Sequence, residues 1–465
     1  MRRGTGMARQ IDGVRFRLFA NWAIKPEACE TVTLSLPAGM VGPGPADPWL
    51  FTVDAIGKQP YDPPRFTPPY RGARGMPALP DARGHFDAIA FDDPTFPSAH
   101  LYGAVRFALD VWEKYLGGAV RWRAADLHPR LELIPEVDWA NAQSGAGFIE
   151  TGALTTEEGR ISPLCLNFDV IAHEVGHTIL FAEMGVPPPE RVTSEFLAFH
   201  EAMSDMSALI ALIHFDGVLD DTLGQTHGNL YALNMLNRFG ILSEHEQIRV
   251  SDNTRKMADV AGLRLAADGS WVDPLGERRN AHHLAAPLIG ALFDLLVDVY
   301  QERLVADGII APALDARNWS RARAETELAA LSAQFEDRFA AVEPLFREAL
   351  ALARDVVGMS LARLFQTLVP DGLSFARVAR AFLVCLGEVQ PDADLIALAE
   401  NFHWRGIEVG VGELTVSRRR GERPYAERVA LARARRLRHD ESAGSAGALH
   451  RLINHDHRGH SRTCV

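Results

Sequence analysis

Polar and apolar residues alternate along Val14-Arg15-Phe16-Arg17-Leu18 and again along Thr31-Val32-Thr33-Leu34-Ser35-Leu36, which predicts strands in a β-rich N-terminal region. Between about Gly42 and Gly84 the chain is rich in Pro, Gly and Arg, with Pro63-Pro64 and Pro68-Pro69, and reads as an extended arm or linker. The period changes at about Pro97. Val105, Ala108, Leu109, Trp112 and Leu116 recur at helical spacing, and Gly117-Gly118 stop the helix. Residues 120–122 and 131–134 read as strands, followed by 138–147. After Pro163 the pattern is helical through Ala182, until Gly185 and Pro187-Pro188-Pro189 end it. A second helix is expected from Thr193, a suitable N-cap, to about Phe215. Beyond His282 helices are predicted over roughly 284–305, 318–355, 358–368 and 373–387, and the last forty residues read as a mobile tail. No repeat of fixed period is present.

Composition adds bounds. The chain has 465 residues, 47% of them hydrophobic, which is ample for a large core and suggests two or three domains. The expected division is a β-rich region and arm over 1–95, a subdomain over 96–220 that carries the His- and Glu-bearing helices taken up next, a helical subdomain over 221–400, and a basic, His-containing tail over 401–465. A net charge of -12 argues against nucleic acid as a partner. The Arg-rich stretch 417–439 reverses that sign locally and reads as a solvated end. Cys29, Cys165, Cys385 and Cys464 are widely spread and form no redox or thiolate-metal pair. Arg2 and Arg3 are followed by no apolar run of the kind a secretory signal carries, so a cytoplasmic protein is expected, with other export routes left open. No uninterrupted apolar run reaches 18 residues, and no membrane span is expected. The sequence leaves the oligomeric state open.

The chemistry concentrates in Asp169-Val170-Ile171-Ala172-His173-Glu174-Val175-Gly176-His177. Two histidines four apart on a helix lie about 40° from each other around its circumference, so both imidazoles reach one ion. Glu174 sits beside that face and reaches a water at the ion without being a ligand. A catalytic zinc takes a third protein ligand and keeps a fourth position open. His200-Glu201-Ala202-Met203-Ser204-Asp205 on the next helix supplies Glu201, and Asp205 one turn later is placed to accept from a ligating histidine. Carboxylates are otherwise costly among Phe196, Leu197, Met203, Met206 and Leu209. His200 points about 100° away from Glu201 and is the weaker ligand candidate. A third histidine six residues after His177, the metzincin arrangement, is absent: that position is Glu183. The tail histidines His450, His455, His457 and His460 are too irregularly spaced for a metal module.

These segments resemble the gluzincins, and within them the thermolysin-like and fungalysin-like peptidases. Residues 169–178 look like their HExxH helix with its leading aspartate, Glu201-Ala202-Met203-Ser204-Asp205 like their glutamate-ligand helix, and Asn280-Ala281-His282 through Leu292-Phe293-Asp294 like their later catalytic helix. Asn141-Ala142 is similar to the edge strand that pairs with substrate backbone. The resemblance covers about residues 98–390. It implies zinc on His173, His177 and Glu201, Glu174 as general base and then acid, and Asp205 orienting His173. It also implies His282, or its neighbour His283, donating to the oxyanion, and a peptide or protein substrate laid along Asn141 and Ala142. The implied fold is α+β: a thermolysin-like catalytic domain with a small mixed sheet, a central HExxH helix and a mainly helical C-terminal lobe. One departure stands out. Residues 178–200 contain no Tyr, where these peptidases usually hold one against the oxyanion. The other class of function to weigh is a non-catalytic, zinc-stabilised binding protein.

Overall fold

The computed structural model describes residues 13–23, 29–231, 234–243, 245–251, 255–266, 271–272, 280–319, 321–410 and 429–430. Its strands are β1 (Gly13–Leu18), β2 (Glu30–Pro37), β3 (Leu50–Thr52), β4 (Leu131–Ile134), β5 (Ala142–Gly145), β6 (Phe148–Thr151), β7 (Ala153–Thr155), β8 (Ile161–Pro163), β9 (Arg238–Ile241), β10 (Gln247–Val250), β11 (Arg264–Leu265) and β12 (Trp271–Val272). The helices are α1 (Phe96–Leu116), α2 (Phe168–Glu183), α3 (Ser194–Leu212), α4 (Asp216–Thr226), α5 (Ala281–Ala306), α6 (Arg321–Thr367), α7 (Phe375–Val389) and α8 (Leu395–His403). The architecture is α+β, with small sheets in the first half of the chain and a helical lobe after α5.

The central sheet has strand order β3-β4-β6-β5, parallel except for β5, which runs antiparallel along one edge. Its two faces do different work. Leu131, Leu133 and Ile149 join the main core, which runs without a break from Val14 to Val409 and takes in α1, α2, α3 and α5. Ile134 and Phe148 form a second apolar cluster with Val53, Tyr61 and Tyr70. On that second face Glu132 and Glu150 are also buried.

The Pro- and Gly-rich segment is irregular, as its composition predicts, but it is a packed coat rather than a loose arm. Lys58 forms a fully buried ion pair with Glu150 and lies 3.4 Å over the ring of Tyr61. The Tyr61 N–H donates to Glu150 (2.7 Å), its hydroxyl donates to Glu132 (2.6 Å), and the Tyr70 N–H donates to Glu132 (3.0 Å). Backbone that cannot join a sheet is thus satisfied by carboxylates rising from one.

β1 pairs with β2 and packs on α1, where Phe16 stacks on Phe86 and Tyr102. His100 on α1 ties this layer to the approach to α2: the Phe19 N–H donates to its Nε2 (3.0 Å) and its Nδ1 donates to the Cys165 carbonyl (2.8 Å). Only a neutral ring makes both bonds, and burial lowers its pKa to about 4. The unfolded chain takes up that proton near pH 6.5, so the contribution of His100 is complete above 6.5 and drains as pH falls toward 4. Denaturant titrations should show that loss, and it should be smaller by about 3 kcal/mol in His100→Leu. An unchanged pH slope in that variant would remove His100 as the cause.

Several expectations need correction. Residues 120–122 form no strand. The break expected between helices over 318–355 and 358–368 falls instead at Val342 (φ -141°, ψ 35°), where α6 kinks between two helical stretches. There Pro344 removes an N–H and crowds the preceding turn. The helix from Thr193 ends at Leu212. Of the tail expected over 401–465, residues 401–410 are packed, with Phe402, Ile407 and Val409 in the main core and Arg405 buried; the rest lies outside the described residues apart from 429–430. Among the described residues one helix, α5, is long and apolar enough to cross a membrane, and 83% of its apolar window is buried inside the fold, as in a core helix.

Candidate metal centre

α2 and α3 carry the motif residues, and each begins on a side-chain cap. Asn167 accepts from the Val170 N–H, and Thr193 accepts from the Phe196 N–H (3.0 Å). The two helices meet closely at Gly176. A Cβ there would stand 2.9 Å from the Ser204 Cα and 3.1 Å from the Ser207 Cβ. This approach brings Glu201 against the HExxH face.

Three ring nitrogens surround one oxygen. Glu201 Oε2 lies 3.2 Å from His173 Nε2, 3.3 Å from His282 Nδ1 and 3.5 Å from His177 Nε2. One donor atom each from His173, His177 and Glu201 falls within a mutual 4.8 Å, and all three residues are buried. Neither His177 nitrogen and neither lone pair of Glu201 Oε2 is satisfied by a hydrogen bond. Buried nitrogen lone pairs facing a carboxylate oxygen are unstable together unless a cation or protons lie between them. Two imidazoles and a carboxylate are the donor set of a divalent metal with one position left open. The residues therefore fit a metal ion.

Charge is managed around the cluster. His173 Nδ1 bonds Asp205 Oδ1 (2.7 Å). Burial alone would lower the His173 pKa, but Asp205 and Glu201 outweigh it and carry it to about 9 when no ion is bound. Burial opposes ionisation of Asp205 too, yet Arg249 and His173 hold its carboxyl far below the usual range. Glu201, likewise buried, is held well below its ordinary value by His282 and His177. Glu174 is 3% exposed, and its carboxylate makes no hydrogen bond or ion pair among the described residues.

The hairpin β9–β10 walls the site and was not foreseen. Arg249 on β10 grips Asp205 with two bonds (2.6 and 3.2 Å), and its Nη1 lies 3.4 Å from His282 Nε2. Its guanidinium sits 4.1 Å over the ring of Phe239, which meets His173 edge-on at 5.4 Å. Asp169 anchors the hairpin by accepting the Gly240 N–H (2.6 Å). Burial raises the Asp169 pKa to about 6 despite that bond. The only trace in the sequence is the short alternation Gln247-Ile248-Arg249-Val250.

The remaining expected residues fall as follows. His282 faces Glu201, whereas His283 is spent on the N-terminal cap of α5, its Nδ1 2.7 Å from Asn280 Oδ1. Ala142 opens the edge strand β5, directly after Asn141, and packs against Val170, one turn before His173. Asn141 Oδ1 accepts the N–H of Ala142 itself (2.9 Å). His200 is fully buried against His177, Phe181 and Phe196, and burial drives its pKa down to about 3.

Neither a protein-family model nor a curated protein sequence matches this chain. Among solved structures, it is similar to the precursor of protealysin, a metalloproteinase from Serratia proteamaculans, at 13% identity and a TM-score of 0.41, over 81% of this chain and 90% of that one.

Proposed function

We propose that the chain is a zinc-dependent metallopeptidase that hydrolyses peptide bonds. The observation that carries this reading is the buried carboxylate of Glu174, which bonds nothing among the described residues and follows directly on His173 of a three-donor cluster. His173, His177 and Glu201 would hold zinc. Bound there, zinc supplies Lewis acidity to the scissile carbonyl and to the attacking water.

The residues of the chain do the rest. Glu174 takes a proton from the attacking water and delivers it to the leaving amine. His282 donates a hydrogen bond to the developing oxyanion. Asp205, held by Arg249, keeps His173 in the tautomer that presents Nε2 to the ion. The substrate lies along the edge strand β5 from Asn141 and Ala142, adding a strand to the sheet.

Quenched fluorescent peptide libraries test this directly. Cleavage should occur with the zinc-loaded chain, stop with a chelator and return with zinc. Glu201→Ala should lose both zinc and cleavage. A second reading, a zinc-stapled protein that binds a partner without catalysis, is favoured by the lack of a Tyr in residues 178–200. It predicts a fully metallated chain that cleaves no peptide in the library.

A further inference from the structure

Among the described residues β5 pairs with β6 alone, and its backbone directions follow from that pairing. The Gly152 N–H donates to the Asn141 carbonyl (2.8 Å), and beyond it Ala142 faces Thr151 and Gln143 faces Glu150. Hydrogen-bonding direction alternates along an antiparallel strand, so Gln143 turns its backbone to β6, while Ala142 and Ser144 turn theirs to the outer edge. The Ala142 N–H accordingly bonds a side chain, Asn141 Oδ1, and not β6. β5 reads Ala-Gln-Ser-Gly, residues poorly suited to strands, and Gln143 is its one long side chain. That side chain is buried behind the sheet. Its Nε2 donates to Glu150 Oε1 (2.5 Å) and to the Tyr61 carbonyl (3.1 Å). The coat also holds the lead-in to the strand: the Asp138 N–H donates to the Lys58 carbonyl (2.9 Å), and Gln59 Nε2 donates to Asp138 Oδ2 (2.9 Å).

We propose that Gln143 is a positioning residue for the substrate, bracing β5 from behind so that Ala142 and Ser144 offer their backbone groups in an extended line. The substrate class this fits is a peptide long enough to lie beside both residues. The inference rests on the peptidase reading and on a substrate laid along β5. An incoming strand bonds an edge through main-chain groups, and those keep their spacing only if the edge keeps its pleat. On the other face Ala142 packs on Val170 of α2, so a tilt of the strand would also move the substrate line relative to the HExxH helix. The amide of Gln143 ties that line to Glu150 and, through Tyr61, to the coat. Residues 58–61 are thereby part of the substrate-binding apparatus, although they stand behind the sheet.

The test is steady-state kinetics of the full, zinc-loaded chain on quenched fluorescent peptides lengthened one residue at a time on either side of the scissile bond. In the wild type KM should fall as residues are added along β5. Gln143→Met keeps the volume and loses both bonds, so most of that fall should vanish. KM for the longest peptides should then stand about 5–30-fold higher, equivalent to one or two hydrogen bonds. Both kcat and zinc stoichiometry should change far less. Leu383→Ala opens a cavity in the buried face of α7; it lowers stability without touching β5 and should keep the wild-type length dependence. Should Gln143→Met not fold, Gln143→Asn, one methylene too short to reach Glu150, goes through the same series. A length dependence that the substitution leaves unchanged, or a KM raised equally at every length, overturns the inference. A zinc-loaded wild type that cleaves no peptide would instead sink the peptidase reading beneath it.

Discussion

Glu174→Gln is expected to retain zinc at full stoichiometry and lose about 10²–10⁴-fold in peptide cleavage. Glu174 is buried, yet its carboxylate bonds nothing among the described residues, so its amide isostere breaks no contact that supports the fold. The substitution removes only the capacity to accept and return a proton. Metal content and kcat measured on one preparation separate the two effects. A variant that cleaves at the wild-type rate would take Glu174 out of the chemistry. A variant that loses zinc would make it part of the metal-binding framework.

The second large effect concerns the coat. A chain beginning at residue 96 is expected not to fold. Such a truncation removes Phe16 and Leu18 from the main core and the Phe19 N–H from His100. It also strips Lys58, Tyr61 and Tyr70 from Glu132 and Glu150, leaving the Glu150 carboxylate with Gln143 alone and that of Glu132 with no hydrogen bond from the described residues. Breaking one buried pair costs about 3–5 kcal/mol, and marginal stability leaves no reserve for several such losses. Lys58→Met isolates one of these terms. Expression of 96–465 followed by circular dichroism and zinc titration decides the matter. A soluble, zinc-binding fragment would show that the coat is dispensable and would make it a candidate removable pro-region.

The readable parts of this protein are those in which local periodicity and final structure agree. The HExxH helix and its successor follow from apolar spacing, and Thr193 stands where an N-cap belongs. The pairing of His173 with His177 followed because helix geometry dictates which side chains share a face, whereas Glu201 came from the need for a third donor on the next helix. Contacts made at long range were hidden. The coat at residues 42–84 is held by side chains from β4 and β6, and nothing in its own composition reports that. Arg249 reaches Asp205 across 44 residues from a four-residue strand too short to stand out. The resemblance favours His282 with His283 as its fallback, and the cap at Asn280 is what separates their directions in the fold. At α6 the apolar pattern suggested two helices in the wrong place, because Pro344 outweighs the pattern.

Gly176 has a consequence for any ion that His173, His177 and Glu201 would hold. It never touches the metal, yet it works as the caliper of the site. The gap between α2 and α3 is as narrow as a hydrogen atom in place of a methyl group allows. Any side chain at this position would drive α3 outward and carry Glu201 with it, opening the 3.2 and 3.5 Å separations from His173 and His177. The two middle positions of the HExxH motif are therefore not interchangeable here. One is filler, and the other sets how large an ion the jaws will close upon.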